Sequence, residues 1–293
     1  MRRAGPVAGA SISKPMTFFN LLLDLVALIL GLSVLGVGSS SPAHRAGTLL
    51  GNLKLAESRR TNTVKPLFFL LGLLMLRPLF YAPLTEVLGT VPEWSPTPAS
   101  VPFRADFFSR LLMFSFISFL WTTIQFVAWM QVLCSLARGC REPGAWNRFF
   151  QETLGPLARL PLPIAILLPT WAAGSLWFLA HWPLKWAGIL PAVPTELLAK
   201  QSAVVAVGLW ISIRWLLSAL LILRLINTYV YLGNHPFWDF IHQVGGVLLQ
   251  PFRWIPLRFG KLDLAPLGLT ALILAAAWGA DRALLELYLR LSP

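Results

Sequence analysis

The chain has 293 residues, of which 56% are hydrophobic and only 12% charged, and its mean hydropathy is +0.68. Soluble globular chains carry about 25% charged residues, so an ordinary cytosolic enzyme is excluded and the long apolar runs define an integral membrane protein with several spans. The net charge is +12, from 24 Lys+Arg against 12 Asp+Glu. The basic residues sit mostly in short loops between apolar runs, where they orient the chain and meet anionic headgroups, so the expected partner is the lipid bilayer and not nucleic acid.

Six segments have the length and hydropathy of a span: Phe18 to Val37, Pro66 to Leu88, Leu111 to Leu136, Leu162 to His181, Ala203 to Tyr231 and Leu264 to Ala280. A helix needs roughly 20 residues to cross about 30 Å of hydrocarbon. The sixth is therefore the shortest acceptable candidate and the fifth is long enough to tilt. Helix is required, because lipid leaves unpaired backbone groups unsatisfied and nothing alternates like a barrel strand. Arg2 and Arg3 ahead of an apolar run imitate a signal peptide, but the run from Phe18 exceeds the roughly 7–15 residues of such a core and reads as a retained span.

The odd-numbered spans begin 93 and then 92 residues apart, at 18, 111 and 203, and the even-numbered ones at 66, 162 and 264. The fold class expected is thus all-α and polytopic, with three helix–interfacial connector–helix hairpins in one orientation. The segmentation is a tail (1–16), hairpins at 17–90, 103–182 and 203–281, and a second tail (282–293). Two Pro-rich stretches, V-P-E-W-S-P-T-P-A-S-V-P (91–102) and W-P-L-K-W-A-G-I-L-P-A-V-P (182–194), read as linkers between hairpins.

Within the third connector Phe237, Phe240, Ile241, Val244, Val247 and Leu248 recur at helical spacing, with Asp239, His242 and Gln243 largely opposed. The second connector repeats the idea with Trp146, Phe149, Phe150, Leu154 and Leu157 against Arg148, Gln151 and Glu152. Such helices lie in the membrane interface or pack on the ends of the spans, and the two placements are compatible. The first connector keeps only Leu49, Leu50 and Leu53 before a polar run. Each of the last two helices is followed by a Pro-x4-Pro stretch, P-L-A-R-L-P (156–161) and P-F-R-W-I-P (251–256), which turns the chain into the next span. In G-K-L-D-L-A-P (260–266), Asp263 is placed to cap the sixth span, with Pro266 in its first turn.

The stretch from Arg224 to Trp278, above all P-F-R-W-I-P followed by G-K-L-D-L-A-P, resembles the YggT family of small membrane proteins. That family pairs two spans around a connector reading approximately P-I-R-R-hydrophobic-I-P, then G-G-hydrophobic-D-hydrophobic-S-P. Pro251, Arg253, Pro256, Gly260, Asp263, Leu264 and Pro266 match by position; Asn234 and Pro236 resemble the family's Asn-Pro with His235 inserted, and Arg224 its arginine late in the preceding span. The family's Thr-Glu-Pro is replaced here by Gly245, Gly246 and Val247. Hairpin two keeps Q-E-T-L-G-P-L-A-R-L-P without the D-L-S-P element, and hairpin one keeps almost nothing. The resemblance implies no catalytic activity, and roles in assembling or organising other membrane proteins, with one bacterial branch linked to osmotic tolerance and ion uptake. It implies the bacterial inner membrane as the location.

Ionisable groups inside spans are costly and are functional candidates by default. Asp24, Arg77, Arg214 and Arg224 qualify. Arg224, near the connector, is expected to snorkel to headgroups. Arg214 lies about 16 Å in from Ala203, with Asp24 as its expected partner in a pair that fixes helix packing, and Arg77 has no obvious partner. His44, His181, His235 and His242 lack the Cys or carboxylate support of a metal site, and Cys134 and Cys140 are six apart, so no metal and no cofactor is expected. The connectors carry 12 Lys or Arg against 9 on the opposite side, which leans them to the cytoplasm. No G-x-S-x-G, H-E-x-x-H or glycine-rich phosphate loop is present, so an enzyme is not expected. A scaffold or assembly factor with membrane-protein partners leads, compatible with a homo-oligomer, and an ion or small-solute transporter is the alternative.

Overall fold

With no water in hydrocarbon to pair with the backbone, each apolar run closes its own hydrogen bonds as a helix. The computed structural model describes residues 14–34, 64–88, 91–104, 107–140, 145–230, 233, 235–252, 258–259 and 262–291. Helices dominate: α1 (Lys14–Val34), α2 (Val64–Leu88), α3 (Phe108–Arg138), α4 (Ala145–Leu154), α5 (Leu162–Trp186), α6 (Thr195–Gly208), α7 (Ile213–Tyr229), α8 (Pro236–Leu249) and α9 (Ala265–Arg290). Two minimal antiparallel hairpins join them, β1 (Glu93–Trp94) with β2 (Val101–Pro102), and β3 (Arg258–Phe259) with β4 (Leu262–Asp263).

Among the described residues five helices are long and apolar enough to cross a membrane: Val64–Thr85, Phe108–Arg138, Leu162–Trp186, Thr195–Tyr229 and Ala265–Arg290. The apolar stretch of α1, Phe19–Ser33, is shorter than these. The fifth expected span begins eight residues early, because Thr195 opens the helix after Pro194 and Lys200 pairs with Glu196 one turn away at 2.7 Å. The sixth is not the shortest. It runs 26 residues to Arg290, past the acid and base that end the apolar run, because Asp281 is paired and Arg282 lies 3.8 Å over the Trp278 ring.

The chain divides into two compact units, one holding residues up to Trp94 together with Val101–Thr122, the other Ser95–Ser100 with Thr123 onward. In the first, Ala27, Leu70 and Leu74 pack with Phe116 and Phe119 between α1, α2 and the start of α3. Phe103, fully buried, meets Phe114, which meets Tyr81, with ring centroids 5.3 and 5.4 Å apart. Pro78 lies inside α2 and offers no N–H to the carbonyl of Leu74 one turn earlier. Ser115 Oγ of α3 donates to that carbonyl at 2.9 Å, so the acceptor exposed by proline is satisfied from a neighbouring helix.

In the second unit α6 and α7 form one long span interrupted by a 3-10 turn, Leu209–Ser212. Two tryptophans clasp the turn: Trp210 Nε1 donates to Thr170 Oγ1 at 2.7 Å and Trp129 Nε1 to Ser212 Oγ at 3.1 Å. The stretch expected as the linker 91–102 is a hairpin instead, its strands paired Glu93 with Pro102 and Trp94 with Val101. Its tip reaches the long span, where a Cβ on Gly208 would stand 1.8 Å from the Thr97 carbonyl oxygen. The linker expected at 182–194 is partly helix, since α5 continues to Trp186.

Candidate functional site

The two connector helices carry the candidate site. α4 and α8 follow α3 and α7, and each ends in a 3-10 turn, Gly155–Arg159 and Gln250–Phe252. Gly155 takes φ +54°, a conformation open to glycine, where α4 gives way to its turn. Much of the apolar faces expected from sequence packs inside the protein, while Phe149 stays exposed. Phe150 and Leu154 bury against Met130, Cys134 and Ala137 of α3, while Ile241 and Val244 bury against Leu220 of α7 with Leu133 and Leu136 alongside.

Trp146 joins the two helices into one platform. Its ring stacks on Phe240 at 4.9 Å and meets Phe237 at 5.9 Å, and its Nε1 donates to the Pro236 carbonyl at 3.1 Å. Arginines fix the platform to the spans. Arg138, the last residue of α3, donates to the carbonyls of Ala158 and Leu160 beyond α4. Arg224 of α7 donates through Nη1 to the His242 carbonyl inside α8. Its guanidinium thus clasps the connector helix.

Gly245 and Gly246 make this clasp fit. A Cβ on Gly245 would stand 2.5 Å from Arg224 Cδ, and one on Gly246 2.9 Å from Nη1. Gly245→Ala is therefore expected to loosen α8, seen as faster amide exchange over 236–249, and the added Arg224→Ala change is expected to restore most of the protection. Asn227 Nδ2 supports the same helix through the Trp238 carbonyl at 3.3 Å.

Of the other motif residues, His235 caps α8, its Nδ1 accepting from the Phe237 N–H at 3.2 Å, and Pro236 occupies the first turn. Pro251 lies in the 3-10 turn after α8 and Pro266 is buried in the first turn of α9. The cap position of α9 is Leu264, with Asp263 one residue earlier in β4, its backbone paired opposite Arg258. Asn234, Arg253, Pro256 and Gly260 lie outside the described residues, as do His44 and the first connector.

On the outward side of the platform Asp239, His242, Gln151 and Glu152 are exposed. Partial burial and the Arg224 charge hold the His242 imidazole below its ordinary pKa, with Asp239 opposing. Burial pushes the half-buried Cys140 thiol up, away from the thiolate.

The intramembrane charges pair differently from expectation. Asp24 pairs with Arg77 at 2.8 Å, both buried, and the pair is closed by Asn20, Tyr81 and Ser118. Arg77 Nη2 donates to Asn20 Oδ1 at 2.5 Å and Nε to Tyr81 Oη at 3.1 Å, while Ser118 Oγ donates to Asp24 Oδ2 at 3.2 Å. Residues 20 and 24 lie one turn apart on α1, as do 77 and 81 on α2, so each helix presents two polar groups on one stripe. Arg214 pairs with Asp281 of α9. The expected Asp24–Arg214 pair is thus replaced by two others. Asp281 went unseen because it lies one residue beyond the end set for the sixth span, where the apolar run stops.

No family model, no curated protein and no solved structure matches the chain.

Proposed function

We propose that the chain is a non-enzymatic, YggT-like integral membrane protein that serves as a scaffold or assembly factor for other membrane proteins. In this reading α1 is a sixth span, the three hairpins share one orientation, and the connectors face the cytoplasm of a bacterial inner membrane. The observation that carries it is the platform: two amphipathic helices, joined through Trp146 and pinned by Arg138 and Arg224, leave Gln151, Glu152, Asp239 and His242 exposed. A preorganised polar surface keeps the ordering cost of docking low.

The test is crosslinking in native membranes followed by tagged purification, comparing the wild type with Asp239→Lys and with Arg253→Ala. A defined set of membrane proteins, lost in Asp239→Lys while expression and insertion persist, is expected. An unchanged set in both variants, or recovery of this protein and lipid alone, would remove the platform from the binding role. The second reading, passage of an ion or small solute, is favoured by one observation: the long span breaks into a 3-10 turn where the loop tip meets it.

A further inference from the structure

We infer that one ordered water molecule is built into the joint between α3, the turn after α4 and α5, held by the side-chain amide of Gln131. This water site lies outside the scaffold reading and does not depend on it.

A glutamine amide carries N–H donors and an acceptor, and all of them lose water when helices close over the side chain. Gln131 is 4% exposed, and neither its Oε1 nor its Nε2 meets a hydrogen-bond partner within the protein. Leaving such a group dry is costly, so buried amides are bonded to protein or to water. Room for the water is present. Gln131 lines a small cavity together with Ser135 and Arg138 of α3, Leu157 of the turn and Ala165 of α5. The cavity offers about 10 Å³ to the centre of a water molecule, at the edge of the roughly 10–15 Å³ that one water needs.

Polar groups converge on the same space. Gln131, Ser135 and Arg138 stand at i, i+4 and i+7 on one face of α3, a row about 10 Å long from the exposed Arg138 to the buried amide. Ser135 Oγ gives its proton to the Val132 carbonyl at 2.7 Å and keeps its lone pairs for a second partner. Arg138 donates to the carbonyls of Ala158 and Leu160 and retains further N–H groups. The amide, the hydroxyl and the guanidinium together supply the about two to four partners that a buried water takes. Other occupants fit worse. The Arg138 charge opposes a cation, and no carboxylate lines the cavity to offset it. An organic anion is larger than the space. Cavities that stay dry are apolar, and this one carries an amide.

Hydroxyl-radical oxidation of the full-length protein in lipid nanodiscs, read by mass spectrometry, tests the assignment. The radicals form from water, so a side chain beside a bound water is oxidised even where bulk solvent does not reach it. Cys134 lines the cavity, whereas Met130, next to Gln131 in sequence, does not. Cys134 is 7% exposed and Met130 5%, and both carry an oxidisable sulfur, which makes Met130 the control. Corrected for intrinsic reactivity, Cys134 is expected to oxidise about tenfold faster than Met130, and Gln131→Leu is expected to remove that excess. The comparison within the wild type needs no variant and stands if Gln131→Leu fails to fold. Equal rates at Cys134 and Met130, or an excess retained by folded Gln131→Leu, would overturn the water site.

Discussion

Replacing Gly208 by alanine is expected to destabilise the protein by about 3 kcal/mol or more, since the added carbon meets backbone, the Thr97 carbonyl at 1.8 Å, and not the end of a flexible side chain. The sign is informative. In a helix, Gly→Ala on propensity alone stabilises by up to about 1 kcal/mol. Gly279 in α9 has nothing within 4 Å of its would-be Cβ, so Gly279→Ala is expected to be neutral or mildly stabilising in the same assay. Thermal or denaturant unfolding in detergent, read for both variants, separates the loop contact from propensity. Equal behaviour of the two would mean that the tip does not press on the long span.

The second large effect is expected at Arg77. Arg77→Leu leaves the Asp24 carboxylate buried without its cation, and breaking a buried pair in this way costs about 3–5 kcal/mol. The double change Asp24→Leu/Arg77→Leu removes both charges and is expected to cost less than Arg77→Leu alone, because the stranded charge, more than the lost attraction, dominates the single variant. Denaturant midpoints of the two singles and the double give the coupling. The ring of Asn20, Tyr81 and Ser118 closes the pair as a packing device. Unchanged abundance with lost ion flux in Asp24→Asn would instead make it a transport site.

How far the amino-acid sequence reaches is visible at particular residues. Among the described residues hydropathy located the five helices long and apolar enough to span, since burial from water acts on whole runs, and helical spacing located buried positions of α4 and α8 such as Phe150, Ile241 and Val244. Hydropathy failed at Asp281, because a paired acid inside a helix lowers the local average as an unpaired one does. It failed also at 91–102, where proline density suggests a linker, although the same prolines suit a loop that leaves the solvent. The choice of Arg77 over Arg214 as partner of Asp24 was illegible, because charge and depth suit both and only helix neighbours decide. Gly245 and Gly246 read as a loss from the family pattern until Arg224 is seen across them.

The most direct test of the platform as a docking surface is site-specific photocrosslinking in native membranes, with the reactive amino acid placed at Gln151 or Asp239 on the exposed row and at Phe150 on the buried face. Discrete crosslinks to other membrane proteins are expected from Gln151 and Asp239, and only intramolecular products from Phe150. Absence of protein crosslinks from the exposed row, with insertion intact, would contradict it.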